Sequence, residues 1–284
     1  MKIVEKLRVE PGRRIKLRHV AADATPGVKD KAEAVEDLAQ MLPELRKLQY
    51  RLYAENRRSV LVVLQAMDAG GKDGVVRHVF SGLNPQGCRV TAFKAPSTSE
   101  LDHDFLWRVH RAVPPYGEIG VFNRSHYEDV LIVRVHELVP KDVWRRRYAQ
   151  INAFERYLAE TGVTMLKFLL HISRGEQTRR LLDRVEDPER NWKLSPADAE
   201  ERKYWDDYRR AYEDVLHECS TPDAPWYVIP SDHKWYRNWA IARVLLAHLR
   251  DMRLQFPEPL ADPDSLRRLL RGGSAGGGPK KHGA

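Results

Sequence analysis

Apolar residues recur at helical spacing from about residue 29 to 56, which predicts a long helix leading into the core. The first 28 or so residues mix charges with Pro11, Gly12, Pro26 and Gly27 and read as an irregular arm. Directly after the helix, residues 60–64 (Val-Leu-Val-Val-Leu) form a short unbroken apolar run rich in β-branched side chains, the pattern of a parallel strand buried on both faces. Four similar runs follow at 89–93, 119–122, 164–170 and 226–229, each preceded by enough chain for a crossover helix. The alternation specifies a three-layer α/β/α fold with a five-stranded, doubly wound parallel sheet. Helix starts are marked by a serine with an acid three residues on: Ser99 with Asp102, Ser125 with Glu128, Ser173 with Glu176, and Ser195 with Asp198 behind Pro196. Beyond residue 259 the pattern weakens, and 272–284 is a glycine-rich, faintly basic tail expected to be disordered. The expected organisation is an arm and helix start (1–45), a catalytic domain (46–258) with a lid at about 173–207, and an extension (259–284).

Composition narrows the functional classes. An apolar content of 42% over 284 residues suffices for a real core and excludes a disordered or fibrous chain. Forty-eight basic against forty acidic residues leave a charge of +8, which favours an anionic partner. Cys88 and Cys219 form no CxxC pair, so neither a disulfide framework nor a zinc site is indicated and a reducing, cytoplasmic setting is expected. Residues 1–9 are of mixed charge, unlike a signal segment, and no run approaches the roughly 18–20 apolar residues that span a bilayer, so no membrane partner is expected. His171, His217 and His233 lack metal-site spacing and read as structural.

The chemistry is concentrated after the first strand, where Asp68-Ala69-Gly70-Gly71-Lys72-Asp73-Gly74 runs into a segment, 75–80, that can continue as a helix. A strand, a glycine loop and a helix in that order cradle phosphate: glycines let amides curl round an anion, and the lysine adds a full charge. Against G-x-x-x-x-G-K-[ST], the Gly71-Lys72 pair is in place, but Ala66 replaces the first glycine and Asp73 the hydroxyl residue. That hydroxyl normally helps to hold Mg²⁺, so another oxygen ligand is required, and Asp68 is the candidate. The loop residues 69–74, with Arg77 just inside the helix, form the candidate phosphate-binding set.

A P-loop with an internal aspartate and a Gly-Lys-Asp-Gly ending resembles the polyphosphate kinase 2 family, whose loop runs approximately D-x-x-G-K-D-G. Two further elements extend the resemblance over roughly residues 45–250: Phe122-Asn123-Arg124-Ser125-His126-Tyr127-Glu128-Asp129 after a core strand, and a lid segment ending in Trp192-Lys193. The resemblance implies a P-loop kinase-like fold with a helical lid. It also implies reversible transfer of phosphoryl groups between inorganic polyphosphate and AMP or ADP, giving ADP or ATP, with Mg²⁺ or Mn²⁺ as cofactor and a homo-oligomeric state. His126, where Trp is more usual, resembles the branch that acts on both AMP and ADP. Asn123 stands where many members have aspartate, and an amide is the poorer Mg²⁺ ligand, so whether Asn123 or Asp129 contributes to the metal site stays open.

Arg124 follows a strand end at the mouth of the sheet, where a guanidinium suits phosphate oxygens. Glu128 reads either as the acid of a capping box with Ser125 or as a group near the acceptor nucleotide. A lid that closes over the site brings basic groups onto the transferring phosphoryl, and Arg174, Arg180 and Lys193 are the candidates. On this reading Asp68, Lys72, Arg124 and Arg180 are catalytic, and the loop, Arg77, Asn123, Glu128, Arg174 and Lys193 bind phosphate or nucleotide. Two alternatives stay open: an ATP-dependent nucleoside monophosphate kinase, and a nucleotide-switched nucleic-acid-binding protein, although no helix-turn-helix, zinc-finger or RNP motif is present.

Overall fold

The computed structural model describes residues 2–272 apart from 190, 194 and 195, with 193, 198 and 272 described by backbone alone. The Ser195 cap and the tail beyond 272 lie outside the described residues. Five strands are formed: β1 (Ser59–Gln65), β2 (Cys88–Ala92), β3 (Ile119–Asn123), β4 (Val163–His171) and β5 (Trp226–Pro230). They pair in parallel in the order β2-β3-β1-β4-β5, within a residue or two of the apolar runs.

The central strand explains the layering. Every residue of β1 is buried, and its side chains alternate between two cores. Val60, Val62 and Leu64 pack with Leu45, Leu48 and Leu52 of the leading helix (Lys31–Glu55) and with Ile241 and Leu245 of the Lys234–Asp251 helix. Leu61 and Val63 face the other way, onto Ile151 and Leu158 of the Lys141–Glu160 helix and Val215 and Leu216 of the Trp205–Cys219 helix. The leading helix starts where Asp30 accepts from the Glu33 amide and ends at left-handed Asn56.

Three local expectations are corrected. The helix expected to start at Ser99 is instead Thr98–Leu101, held by a complete capping box between Ser97 and Glu100. Ser125 accepts from the Tyr127 amide and caps the 3₁₀ turn His126–Val130, which frees Glu128 from a capping role. The arm contains a helix, Lys2–Leu7, and buries Leu7, Val9 and Leu17; the Val9 N–H donates to the Trp226 carbonyl at 2.8 Å. Ser173 does cap the helix Arg174–Glu186 through the Glu176 amide, as its spacing predicts. Among the described residues, no helix is long and apolar enough to cross a membrane.

Candidate active site

Crossovers on either side of β1 leave a crevice at the carboxyl ends of the strands, and the candidate residues gather there. β1 runs into a loop in which Ala69 (φ 61°) and Gly71 (φ 100°) are left-handed, turning the chain back into the helix Lys72–Val75. Lys72 folds over this loop, its Nζ donating to the Ala66 carbonyl at 3.2 Å. Burial and the neighbouring Arg124 hold its pKa below the usual lysine value, while Asp68, Glu128 and Asp73 act in the opposite sense.

The end of β3 closes the other side. Asn123 Nδ2 donates to Asp73 Oδ1 at 2.7 Å, tying the segment to the loop. Arg124 is itself left-handed (φ 64°), a conformation that is strained for a side chain of this size; its N–H bonds to the Leu64 carbonyl at 3.1 Å, and its Nη2 reaches Asp68 Oδ1 at 3.3 Å. Glu128 lies in the same cluster. With the Gln65 carboxamide oriented to satisfy its neighbours, its nitrogen donates to Glu128 Oε1 at 3.0 Å and its oxygen accepts from the Ser125 N–H and Oγ. Burial raises the Glu128 pKa although Arg124 and Lys72 pull it down.

Behind this segment, Tyr127 donates to Glu155 Oε1 at 2.8 Å and His126 Nε2 lies 3.0 Å from the same oxygen. Lys167 on β4 reaches Glu155 Oε2, the Tyr127 hydroxyl and the Cys219 carbonyl at 2.5, 2.8 and 2.7 Å. Arg124 and Glu128 are therefore presented from a turn anchored in a buried, hydrogen-bonded ionic network.

The helix Arg174–Glu186, which falls within the expected lid, differs from expectation in how it uses its arginines. Arg180 is buried: Nη1 donates to the Ala69 and Gly70 carbonyls (2.9 and 3.2 Å), Nη2 to those of Ser231 and Asp232 (2.5 and 3.1 Å), and Nε to Glu176 (2.7 Å). It clamps the underside of the phosphate loop rather than projecting into the crevice. Gln177 adds a bond from Nε2 to the Asp68 carbonyl at 3.1 Å. Arg174 and Arg77 are exposed, Arg190 lies outside the described residues, and so does the side chain of Lys193.

Sequence reasoning missed Gln65, Gln177, Tyr208, Tyr212 and Arg237. Tyr208 and Tyr212, four residues apart on the Trp205–Cys219 helix, share the electrostatic environment of Glu128 and Asp68. Their i,i+4 spacing just beyond the expected lid was the available signal.

No group of three His, Cys, Asp or Glu side chains converges among the described residues, as a protein-built metal cage would require. Mg²⁺ needs less, since it keeps several waters and takes one or two carboxylates plus phosphate oxygens. Asp68, partly exposed in the loop and bonded to Arg124 through Oδ1, fits that demand.

A parallel sheet, a glycine-lysine loop at its central strand, a facing arginine and a helix docked on that loop define a P-loop phosphotransferase. The polyphosphate kinase 2 (PPK2) family pattern matches residues 28–257, and the chain belongs to that family. It is 51% identical over 257 residues to an AMP/ADP-polyphosphate phosphotransferase of Meiothermus ruber, covering 90% of this chain and 96% of the relative. It is 47% identical to an ADP-polyphosphate phosphotransferase of Rhodopseudomonas palustris, covering 95% and 98%. The crystal structure of polyphosphate kinase 2 from Arthrobacter aurescens superposes with a TM-score of 0.92 at 44% identity, covering 95% of this chain and 96% of that one.

Proposed function

We propose that the protein catalyses reversible phosphoryl transfer between inorganic polyphosphate and AMP or ADP, forming ADP or ATP. The observation that carries the reading is the meeting of Asp68, Lys72, Arg124 and Glu128 at the strand ends of a PPK2-family chain. In the forward direction the bond between the terminal phosphorus of polyphosphate and its bridging oxygen breaks. A new bond forms from that phosphorus to a terminal phosphate oxygen of the nucleotide.

Transfer of this kind requires positioning and charge neutralisation more than covalent chemistry. Lys72 exchanges its bond to the Ala66 carbonyl for phosphate oxygens, assisted by the loop amides 69–74. Arg124, held by Asp68 and by the Glu128 charge, presents its guanidinium to the moving group. Arg180 keeps the loop in shape from below. Arg174, Arg77 and Lys193 are assigned to the rest of the polyanion, and Asn123 and Glu128 to the acceptor side. When bound, Mg²⁺ or Mn²⁺ screens the phosphoryl oxygens, and Asp68 is the side chain that holds it.

The reading includes a cytoplasmic setting, supported by the free Cys88 and Cys219. It also includes a homo-oligomer formed through the leading helix, supported by exposed Tyr50 and Tyr53 on that helix beside exposed Phe256.

The test is nucleotide conversion by purified protein with Mg²⁺ and long-chain polyphosphate, with AMP and ADP supplied separately and ATP as the competing donor. ATP from ADP, and ADP from AMP, only with polyphosphate establishes donor and acceptors. Transfer from ATP alone makes the protein a nucleoside monophosphate kinase, and no transfer from either donor overturns the reading.

A further inference from the structure

Arg237 lies in the first turn of the Lys234–Asp251 helix and is 2% exposed. Its guanidinium is packed against the glycines of the phosphate loop. A Cβ at Gly71 would stand 1.8 Å from Arg237 Nη1, and one at Gly74 would stand 2.7 Å from Nη2. These contacts explain why both positions lack a side chain, over and above the left-handed backbone at Gly71.

Its hydrogen-bond partner is neutral: Nε and Nη2 donate to the Asn238 carboxamide oxygen at 3.1 and 2.9 Å. Among the described residues no carboxylate offsets its charge, and the charged group that acts on it is the guanidinium of Arg180. The other cations of the site are balanced differently. Arg180 bonds Glu176, Arg124 bonds Asp68, and Lys72 feels three carboxylates. The first turn of the Lys234–Asp251 helix adds positive dipole and contains no acid to relieve it. Burial and Arg180 push the Arg237 pKa down to about 9, so at neutral pH the side chain stays charged in a place that penalises charge.

A buried cation without a counter-charge is costly unless function supplies the counter-charge, and the loop directly above it is built to seat an anion. We infer that Arg237 is a phosphate-positioning residue: it acts through the loop it supports, and the phosphate group seated on Gly71–Gly74 is the counter-ion it lacks. The inference rests on the loop being the polyphosphate-binding element, and it assigns part of the affinity for that anion to a residue far from the loop in sequence. Phosphate binding thereby stabilises the whole contact between the loop and the Lys234–Asp251 helix.

The test uses full-length wild type, Arg237→Met, Arg237→Gln and Arg237→Lys. The thermal midpoint is read without and with tripolyphosphate, in low salt and without nucleotide, and KM is measured separately for polyphosphate and for ADP. The expectation is that Arg237→Met and Arg237→Gln melt no lower than wild type without anion and lose most of its tripolyphosphate-dependent rise. Their KM for polyphosphate should increase by at least about tenfold with that for ADP unchanged, and Arg237→Lys should recover much of both effects. Should Arg237→Met fail to fold, the shorter, polar and neutral Arg237→Gln decides the matter against Arg237→Lys. Neutral variants that melt well below wild type yet keep its full rise and its KM for polyphosphate would show a merely structural residue and overturn the inference. If wild type itself gains nothing from tripolyphosphate, the donor assignment fails instead. ATP or orthophosphate must then stabilise wild type more than Arg237→Gln for the role of Arg237 to stand, and equal effects overturn it.

Discussion

Lys167 Nζ lies 2.5 Å from Glu155 Oε2 with both side chains shut off from solvent, and the turn that carries Arg124 and Glu128 is built on this pair. Removing one partner strands the other charge in the core. Lys167→Met is expected to cost about 3–5 kcal/mol in chemical denaturation, whereas Glu155→Leu combined with Lys167→Met recovers much of that loss. A double variant as unstable as the single one would argue that the pair contributes net stability.

Lys72→Met and Asp68→Asn are expected to lower polyphosphate-dependent turnover by about 10²–10³ while leaving the fold intact by circular dichroism, because the proposed reaction has both groups act on charge at the reacting centre. Near-normal turnover in both variants would remove the loop from the site.

Asp129, bonded to Arg147 at 2.8 Å, gives a pH signature. Burial raises its pKa from 3.8 to about 6 although Arg147 opposes the shift. Between those values the folded state binds the proton more tightly than the unfolded chain, so this group's contribution to stability is full below pH 4 and lost as the pH climbs through 6. Compared with Asp129→Asn, wild type should therefore lose on the order of 1–3 kcal/mol across that window and nothing further above it. Denaturant titrations of both proteins at pH 4, 5, 6 and 7 measure the difference, and parallel profiles would contradict the assignment.

Arg174 is exposed at the start of the lid helix and is assigned to the polyanion. The KM for long-chain polyphosphate should rise steeply with salt, and Arg174→Ala should reduce the slope of log KM against log salt by roughly one contact's worth. An unchanged slope would place Arg174 off the polyphosphate path.

Periodicity exposed the sheet because its signal is local: a doubly buried strand such as β1 is apolar along its middle, and residues 60–64 are, with polar Ser59 and Gln65 only at its ends. The loop was legible at Gly71, whose left-handed backbone selects glycine with Lys72 directly after it, whereas left-handed Ala69 gave no such mark. The function of Arg180 was not legible, because a guanidinium on a lid helix reads the same whether it faces substrate or four backbone carbonyls. Arg237 gave no sequence signal for a related reason. Its meaning depends on the absence of an acid in three dimensions, and neighbours such as Asp232 and Asp251 in the chain do not reveal which charges it meets in the fold.

The arm that precedes the leading helix has a consequence for how copies of this sheet meet one another. β5 is an outer strand, and Arg8 forms an antiparallel bridge to Tyr227 while the Val9 amide takes the Trp226 carbonyl. Those backbone groups would otherwise be a template on which a stray strand could add and propagate. The amino-terminal segment thus acts as a selvedge, finishing the border of the sheet where β5 begins, at Trp226 and Tyr227.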